Sequence, residues 1–294
     1  MVEPVVRRQV PTCCPAAYDT RMRVAICQLH AGNDDVEGNV GTAEGLLRQA
    51  AEGGAELAAL PELFPFYGSH RRMRELAEPI PGPITERLAR VARETEMWVA
   101  AGSIAEQAAD GRFYNSSPLL DPTGDVVAVY RKIHLFDVDI QGQPPLRESA
   151  AFAGGDQLVT HATEDVRIGL SICYDLRFPE LYRGLVTLGA EVFLVPSAFT
   201  AATGEAHWEV LLRARAIEDQ CFVVAPAQWG AWGAPEEGRR CFGNSMVVDP
   251  WGRVLVRAPK EGDGVWFAEL DLAELRRVRQ TLPALAHRRL GTVC

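Results

Sequence analysis

Short, nearly continuous apolar runs recur along this 294-residue chain and alternate with segments of helical periodicity. A run of that kind is a strand buried on both faces, which requires a sheet covered by helices. Strands are expected at 23–29, 56–60, 97–102, 113–120, 126–130, 166–172, 191–195, 221–225, 245–249, 254–257 and 264–270. Helices are expected at 40–52, 83–96, 179–188 and 205–219, with Pro83 suited to a first helical turn and Gly189 to a helix end. Asp121-Pro122-Thr123-Gly124 and Asp249-Pro250-Trp251-Gly252 are turn signals, so hairpins interrupt the βα alternation. No internal repeat and no Gly/Ser/Pro-rich linker divides the chain. The simplest reading is one α/β domain over 22–290, a large mixed sheet or two packed sheets with helices outside. Residues 1–21 are expected to be a loose extension preceding the first core strand, and the C-terminal tail a candidate for a dimer interface.

Three of these runs end in a reactive side chain. Residues 56–60 lead into Pro61-Glu62, residues 126–130 into Arg131-Lys132, and residues 166–172 into Cys173. Ligands of open α/β sheets bind beyond the carboxyl ends of strands, and an acid, an amine and a thiol there are the parts of a nucleophilic catalyst. A thiol is inert until a base takes its proton or its pKa is depressed. Glu62 can serve as that base, Lys132 as a fixed cation beside a developing oxyanion, and the backbone N–H of Tyr174 as a second donor. On spacing alone each has a plainer alternative: a loop acid, a solvated strand-end charge, an inert core thiol. His134 and His207 also stay open as partners for a cysteine.

Composition narrows the classes. A formal net charge of -9 argues against nucleic acid and anionic membrane surfaces as partners. No apolar run approaches the ~18 residues of a membrane span. Seven cysteines (Cys13, Cys14, Cys27, Cys173, Cys221, Cys241 and Cys294) form no C-x-x-C pair, which fits neither zinc nor a disulfide framework and suits a reduced cytoplasm. Cys27 and Cys221 lie inside expected strands and read as small buried hydrophobes. On the helix at 205–219, Val210, Leu211, Ala214 and Ile217 form an apolar stripe, for the core or for a subunit interface.

The segments Leu60-Pro61-Glu62-Leu63-Phe64, Tyr130-Arg131-Lys132-Ile133-His134-Leu135-Phe136-Asp137 and Ile172-Cys173-Tyr174-Asp175-Leu176-Arg177-Phe178-Pro179-Glu180 resemble the nitrilase superfamily of carbon–nitrogen hydrolases, in its order, within a similarity from about residue 22 to 289. The resemblance implies an α-β-β-α sandwich, catalysis by Glu62, Lys132 and Cys173 without metal or organic cofactor, and a homodimer or higher homo-oligomer. It also implies Glu148 as a second glutamate that fixes the lysine. Segments at 196–199, 203–204, 206–218 and 246–252, with Leu282-Pro283 and His287-Arg288-Arg289, resemble the branch of deaminated glutathione amidases and omega-amidases. That branch implies a small linear carboxamide carrying a carboxylate, cleaved through a thioester on the cysteine. Tyr174, Arg177, Phe199 and Trp208 are the candidate substrate-binding residues, Arg177 as a two-pronged carboxylate clamp or as an anchor of its own loop. Alternative activities are omega-amidase, N-carbamoyl amide or nitrile hydrolysis; a catalytically silent scaffold is the alternative of a different class. Cys241-Phe242-Gly243-Asn244-Ser245 departs from the branch, and the preceding loop carries Trp229 and Trp232, expected at a pocket rim or against a neighbouring subunit.

Overall fold

The computed structural model describes residues 21–141 and 145–290. The expected extension therefore lies, but for Arg21, outside the described residues, as do Cys13, Cys14, Cys294 and the extreme C-terminus. Arg21 itself opens the first strand, Arg21–Gln28, which pairs in parallel with Leu57–Ala59 and antiparallel with Gly264–Asp271.

Two sheets carry the fold. The first runs in the order Gly264–Asp271, Arg21–Gln28, Leu57–Ala59, Trp98–Ala100, Phe113–Leu120, Ile104–Gln107, with Val126–Arg131 also paired to Phe113–Leu120. The second runs Val254–Arg257, Met246–Val248, Phe222–Ala225, Val192–Leu194, Arg167–Leu170, Thr160–Ala162. In each, the three central strands joined by helices are parallel, and the strands outside them pair antiparallel.

Side-chain alternation along the first strand sets the layers. Ala25 and Cys27 pack with Val40, Leu47, Leu88 and Val91 of helices α1 (Val36–Glu52) and α3 (Pro83–Thr95). Val24 and Ile26 face the opposite way, into one cluster with Ile168, Leu170, Phe193 and Val223 of the second sheet. Helices α4 (Pro179–Thr187) and α5 (Ala201–Asp219) cover the other side of that sheet through Leu185, Trp208 and Leu212. The chain is thus an α-β-β-α sandwich, with each sheet buried on both faces. Two further helices, α2 (His70–Glu75) and α6 (Leu272–Thr281), lay outside the expected set. Among the described residues, no helix is long and apolar enough to cross a membrane.

Helix α1 begins four residues before its expected start because Asp35 caps it, its carboxylate accepting from the Gly38 N–H at 2.9 Å. Both expected hairpin turns are present, with Gly124 and Gly252 in the left-handed region at φ 82° and 85°. On α5 the stripe reading needs correction. Trp208, Leu212, Arg215 and Ala216 face inward, whereas Val210 and Ile217 are 65 % and 49 % exposed and turn away from the core.

Candidate active site

Lys132, Glu62, Glu148 and Cys173 line one cavity of about 600 Å³ at the mouth of the sandwich. Each stands just past a strand of the first or second sheet or on a short turn between strands, and all four are buried. Burying a charge is costly unless it is paired and hydrogen-bonded, and here it is both. The Lys132 ammonium, 2 % exposed, donates to Glu62 Oε1 at 2.8 Å and to both Glu148 oxygens at 3.0 and 2.9 Å. Glu148 Oε2 also accepts from the Phe136 N–H at 2.7 Å, and Glu62 Oε2 from the Ala198 N–H at 2.7 Å. Burial opposes the charge on Lys132, but the carboxylates of Glu148 and Glu62 outweigh it and hold its pKa well above the usual lysine range.

Asn115 was not anticipated from the sequence. Fully buried on Phe113–Leu120, its side-chain N–H₂ donates to Glu62 Oε1 at 2.9 Å and to Glu148 Oε1 at 3.0 Å, tying the two carboxylates together. Its signal was present: Asn115, Ser116 and Ser117 are polar residues in a strand otherwise buried among apolar neighbours. Gln228 was missed as well; its side-chain N–H₂ donates to the carbonyls of Glu62 and Leu63 at 2.7 and 3.1 Å, fixing the loop from which the glutamate projects.

Cys173 opens a 3-10 turn, Cys173–Arg177, with φ at 47°, a left-handed conformation that non-glycine residues rarely hold. Its N–H donates to the Pro196 carbonyl at 3.0 Å. Tyr174 follows as the second residue of that turn, where backbone N–H groups have no partner within the helix. Burial, together with the neighbouring Glu62 charge, raises the thiol pKa well above its usual value, and Lys132 only partly offsets them. A depressed pKa, one of the two routes to a reactive cysteine, is therefore not what this pocket gives Cys173. Cys27 and Cys221 are inert core thiols, Cys27 being pushed up to about 12 by burial.

A third buried carboxylate joins the lysine segment to the cysteine turn. Asp175 accepts from the Tyr130 hydroxyl at 2.7 Å, the Ile172 N–H at 2.9 Å and the His134 N–H at 3.1 Å, and its Oδ1 lies 2.8 Å from His134 Nδ1. The His134 ring stacks on Phe178 with centroids 3.7 Å apart. Thus engaged, His134 does not line the cavity, and neither does His207, which is exposed and meets Arg177 at 3.2 Å.

The remaining candidates divide. Tyr174, Arg177 and Phe199 line the cavity, with the Arg177 guanidinium 5.1 Å from the centre of the Phe199 ring. Trp208 does not line it. It is 1 % exposed, packs behind Phe199 with ring centroids 5.1 Å apart, and donates its indole N–H to the Asn244 carbonyl at 2.8 Å. Its signal in the sequence was that of a core residue on α5. The two loop tryptophans also part: Trp232 lines the cavity beside Tyr67, at a centroid distance of 4.6 Å, whereas Trp229 leans on His30 and donates to Asp263 at 2.6 Å, away from it. Tyr67 and His70, unanticipated from sequence, complete the wall; burial lowers the His70 pKa.

The Carbon-nitrogen hydrolase family profile matches residues 23–280. The chain is 47 % identical to a deaminated glutathione amidase of Bos taurus over 272 residues, covering 90 % of this chain and 81 % of that one. It is 37 % identical to the omega-amidase NIT2 of Homo sapiens, covering 92 % and 96 % of the two chains. Among solved structures, the NitFhit protein of C. elegans superposes with a TM-score of 0.83 at 39 % identity, over 92 % of this chain; the chain spans only 65 % of that protein's length.

Proposed function

We propose that this chain, which belongs to the carbon–nitrogen hydrolase family, is an amidase that cleaves a small linear carboxamide bearing a carboxylate, with the 2-oxoglutaryl amide of deaminated glutathione as its substrate. The observation that carries the reading is the buried Glu62–Lys132–Glu148 cluster lining one cavity with Cys173.

In this reading Glu62 takes the Cys173 proton as the thiolate attacks the amide carbonyl, forming the carbon–sulfur bond. The oxyanion that develops is met by the Lys132 ammonium and the Tyr174 N–H. Glu62 then delivers its proton to the leaving nitrogen as the carbon–nitrogen bond breaks, leaving a thioester. A water, deprotonated by Glu62, releases the acid and restores the thiol. Lys132 acts as a charge and not as a proton donor, in keeping with its raised pKa. Glu148 holds the lysine in place. Arg177 grips the carboxylate of the acyl half. The apolar face left open by Val210 and Ile217 on α5 pairs two copies of the chain, and the buried, unpaired thiols suit a reducing cytoplasm.

A panel of the 2-oxoglutaryl dipeptide amide, 2-oxoglutaramate, an N-carbamoyl amino acid and a nitrile, followed for acid, amine and ammonia release, tests the substrate. Intact mass tests the acyl adduct on Cys173. Cys173→Ala is expected to abolish turnover, and Glu62→Gln and Lys132→Ala to lose about 10²–10³-fold or more. Near-wild-type rates in Cys173→Ala end the mechanism.

A further inference from the structure

The sequence left His207 open as a partner for a cysteine, and the hydrolysis itself gives it no task. The imidazole is exposed and stands outside the wall of the cavity, yet its Nδ1 lies 3.2 Å from Nη1 of Arg177, which is part of that wall. A guanidinium offers N–H donors and no acceptor. Nδ1 therefore accepts, and the ring proton of the neutral imidazole sits on Nε2.

Arg177 needs such a holder. Its side chain is long, and fixing it costs rotamer entropy. Two rings flank the guanidinium, Phe199 at 5.1 Å and Tyr174 at 5.9 Å from their centres. Aromatic faces attract a cation but do not direct its N–H bonds. Among the described residues no carboxylate pairs with the Arg177 guanidinium, and the His207 nitrogen is its one hydrogen-bond acceptor. A neutral acceptor fixes the direction of the group and leaves its positive charge uncompensated; a carboxylate in the same place would have neutralised it. Helix α5 brings this about. Thr203 reaches the cavity, and His207 lies four residues on, along the same face. Trp208, next in sequence, packs behind Phe199 at a centroid distance of 5.1 Å. Farther along, Arg215 donates to the carbonyl of Leu176, the residue before Arg177, at 3.1 and 2.8 Å. One helix thus holds the main chain of the cysteine turn, the ring beside the guanidinium and the guanidinium itself.

We infer that His207 is a positioning residue for substrate binding, which aims the Arg177 guanidinium so that the N–H groups it leaves free meet the acyl carboxylate. The inference rests on the amidase reading, with Arg177 as the carboxylate clamp, and deepens it. His207 takes one N–H of Nη1. The other N–H of Nη1, both of Nη2 and that of Nε remain, enough for a fork of two parallel hydrogen bonds. Because His207 does not line the cavity, it acts on binding and leaves the chemical step at Cys173 alone. The pair is exposed, so its contribution is that of a solvated hydrogen bond, modest in size but confined to substrates that carry the carboxylate.

The test uses the full-length protein and two probes: the 2-oxoglutaryl dipeptide amide with its acyl carboxylate free, and the same compound with that carboxylate as a methyl ester. Arg177→Met is expected to raise KM for the free acid about tenfold or more, the size of a charge-assisted hydrogen bond, with little change for the ester. His207→Leu is expected to raise the same KM about three- to tenfold, with kcat held within about twofold and the ester unaffected. His207→Asn sets an amide oxygen where Nδ1 stood and is expected to return KM to within about twofold of wild type. An unchanged KM in His207→Leu, an equal loss on both probes, or no rescue by asparagine overturns the assignment, while the effect of Arg177→Met keeps the clamp. If Arg177→Met itself leaves KM for the free acid unchanged, the clamp fails and the role of His207 with it, although turnover of the free acid keeps the amidase reading. Turnover of neither probe sinks that reading and the inference together.

Discussion

Replacing Glu148 with glutamine separates a lysine that is merely present from one that is held. Glu148 accepts four hydrogen bonds: two from the Lys132 ammonium at 3.0 and 2.9 Å, one from Asn115 at 3.0 Å and one from the Phe136 N–H at 2.7 Å. Glutamine keeps the shape but offers one acceptor oxygen where there were two. Whichever way the amide is turned, its N–H₂ faces a donor. If the oxygen stays with Phe136, the N–H₂ confronts Asn115; if it stays with Asn115, the N–H₂ confronts the Phe136 N–H. At least one bond to a charged acceptor becomes a donor–donor contact, and the ammonium loses one of its two countercharges. At about 1.5–3 kcal/mol for each hydrogen bond to a charged group, with partial relaxation, the net loss is about 2–4 kcal/mol. If that loss falls on the transition state, where the ammonium must meet the oxyanion, kcat/KM falls roughly 30- to 1,000-fold. The assay is kcat/KM on the preferred amide, with thermal unfolding measured beside it. A fall in kcat with the melting temperature nearly held supports a positioning role. Activity within about threefold of wild type refutes the assignment, because a lysine that tolerates this loss was not being held by Glu148.

Three further outcomes follow from the geometry. The thiol pKa of Cys173 is raised, so at pH 8 its alkylation by iodoacetamide is expected to be slower than that of a free small thiol and still rising at pH 9; a plateau below pH 7 contradicts the protonated resting state. By the same sign, a raised folded pKa means that stability from this group is complete below the unfolded value of about 9 and is lost as pH rises through the folded one. Trp208→Phe removes the bond to the Asn244 carbonyl and is expected to cost about 1 kcal/mol of stability, with KM moved less than twofold; a large selective rise in KM restores Trp208 to the substrate. Finally, Val210→Glu with Ile217→Glu is expected to shift sedimentation toward the monomer, whereas an unchanged mass moves the pairing surface off α5.

The fold and the three reactive groups were legible in the sequence for different reasons. Central strands are buried on both faces, so their apolar runs stand out; the bounds of Phe113–Leu120 and of the edge strand Val254–Arg257 also match those expected. Helix α6 escaped because its interior is charged, with Leu272, Leu275 and Val278 as its buried contacts. On α5 the periodicity was real, but it did not say which face the sheet would cover. Arg215, off the expected apolar stripe, is buried and donates to the Leu176 carbonyl at 3.1 and 2.8 Å. Trp208 was misplaced for a related reason: proximity in sequence to cavity residues says nothing about which side of Phe199 an indole occupies. Asn115 and Gln228 escaped because an amide carries no intrinsic sign of catalysis. Their work is to orient a carboxylate and a loop, and that is visible only once strands distant in sequence lie side by side.

In the proposed mechanism the site favours Glu62 as the base. Burial, and after it the Glu62 carboxylate, raises the Cys173 pKa, while the Glu148 and Glu62 carboxylates raise that of Lys132 against burial. Lys132 cannot then accept a proton, and Cys173 cannot release one to solvent without adding a charge to a buried pocket. Transfer from Cys173 to Glu62 avoids both costs. Before it, the cluster holds two carboxylates, one ammonium and a neutral thiol; after it, one carboxylate, one ammonium, one thiolate and a neutral acid. The net charge is the same, and the negative charge has moved from the glutamate to the sulfur. With Glu148 still ionised and held in place by Phe136 and Asn115, the lysine keeps one countercharge and frees its other donor face for the thiolate or the oxyanion. In the proposed mechanism a second glutamate is therefore what allows the first to change its protonation state during the reaction.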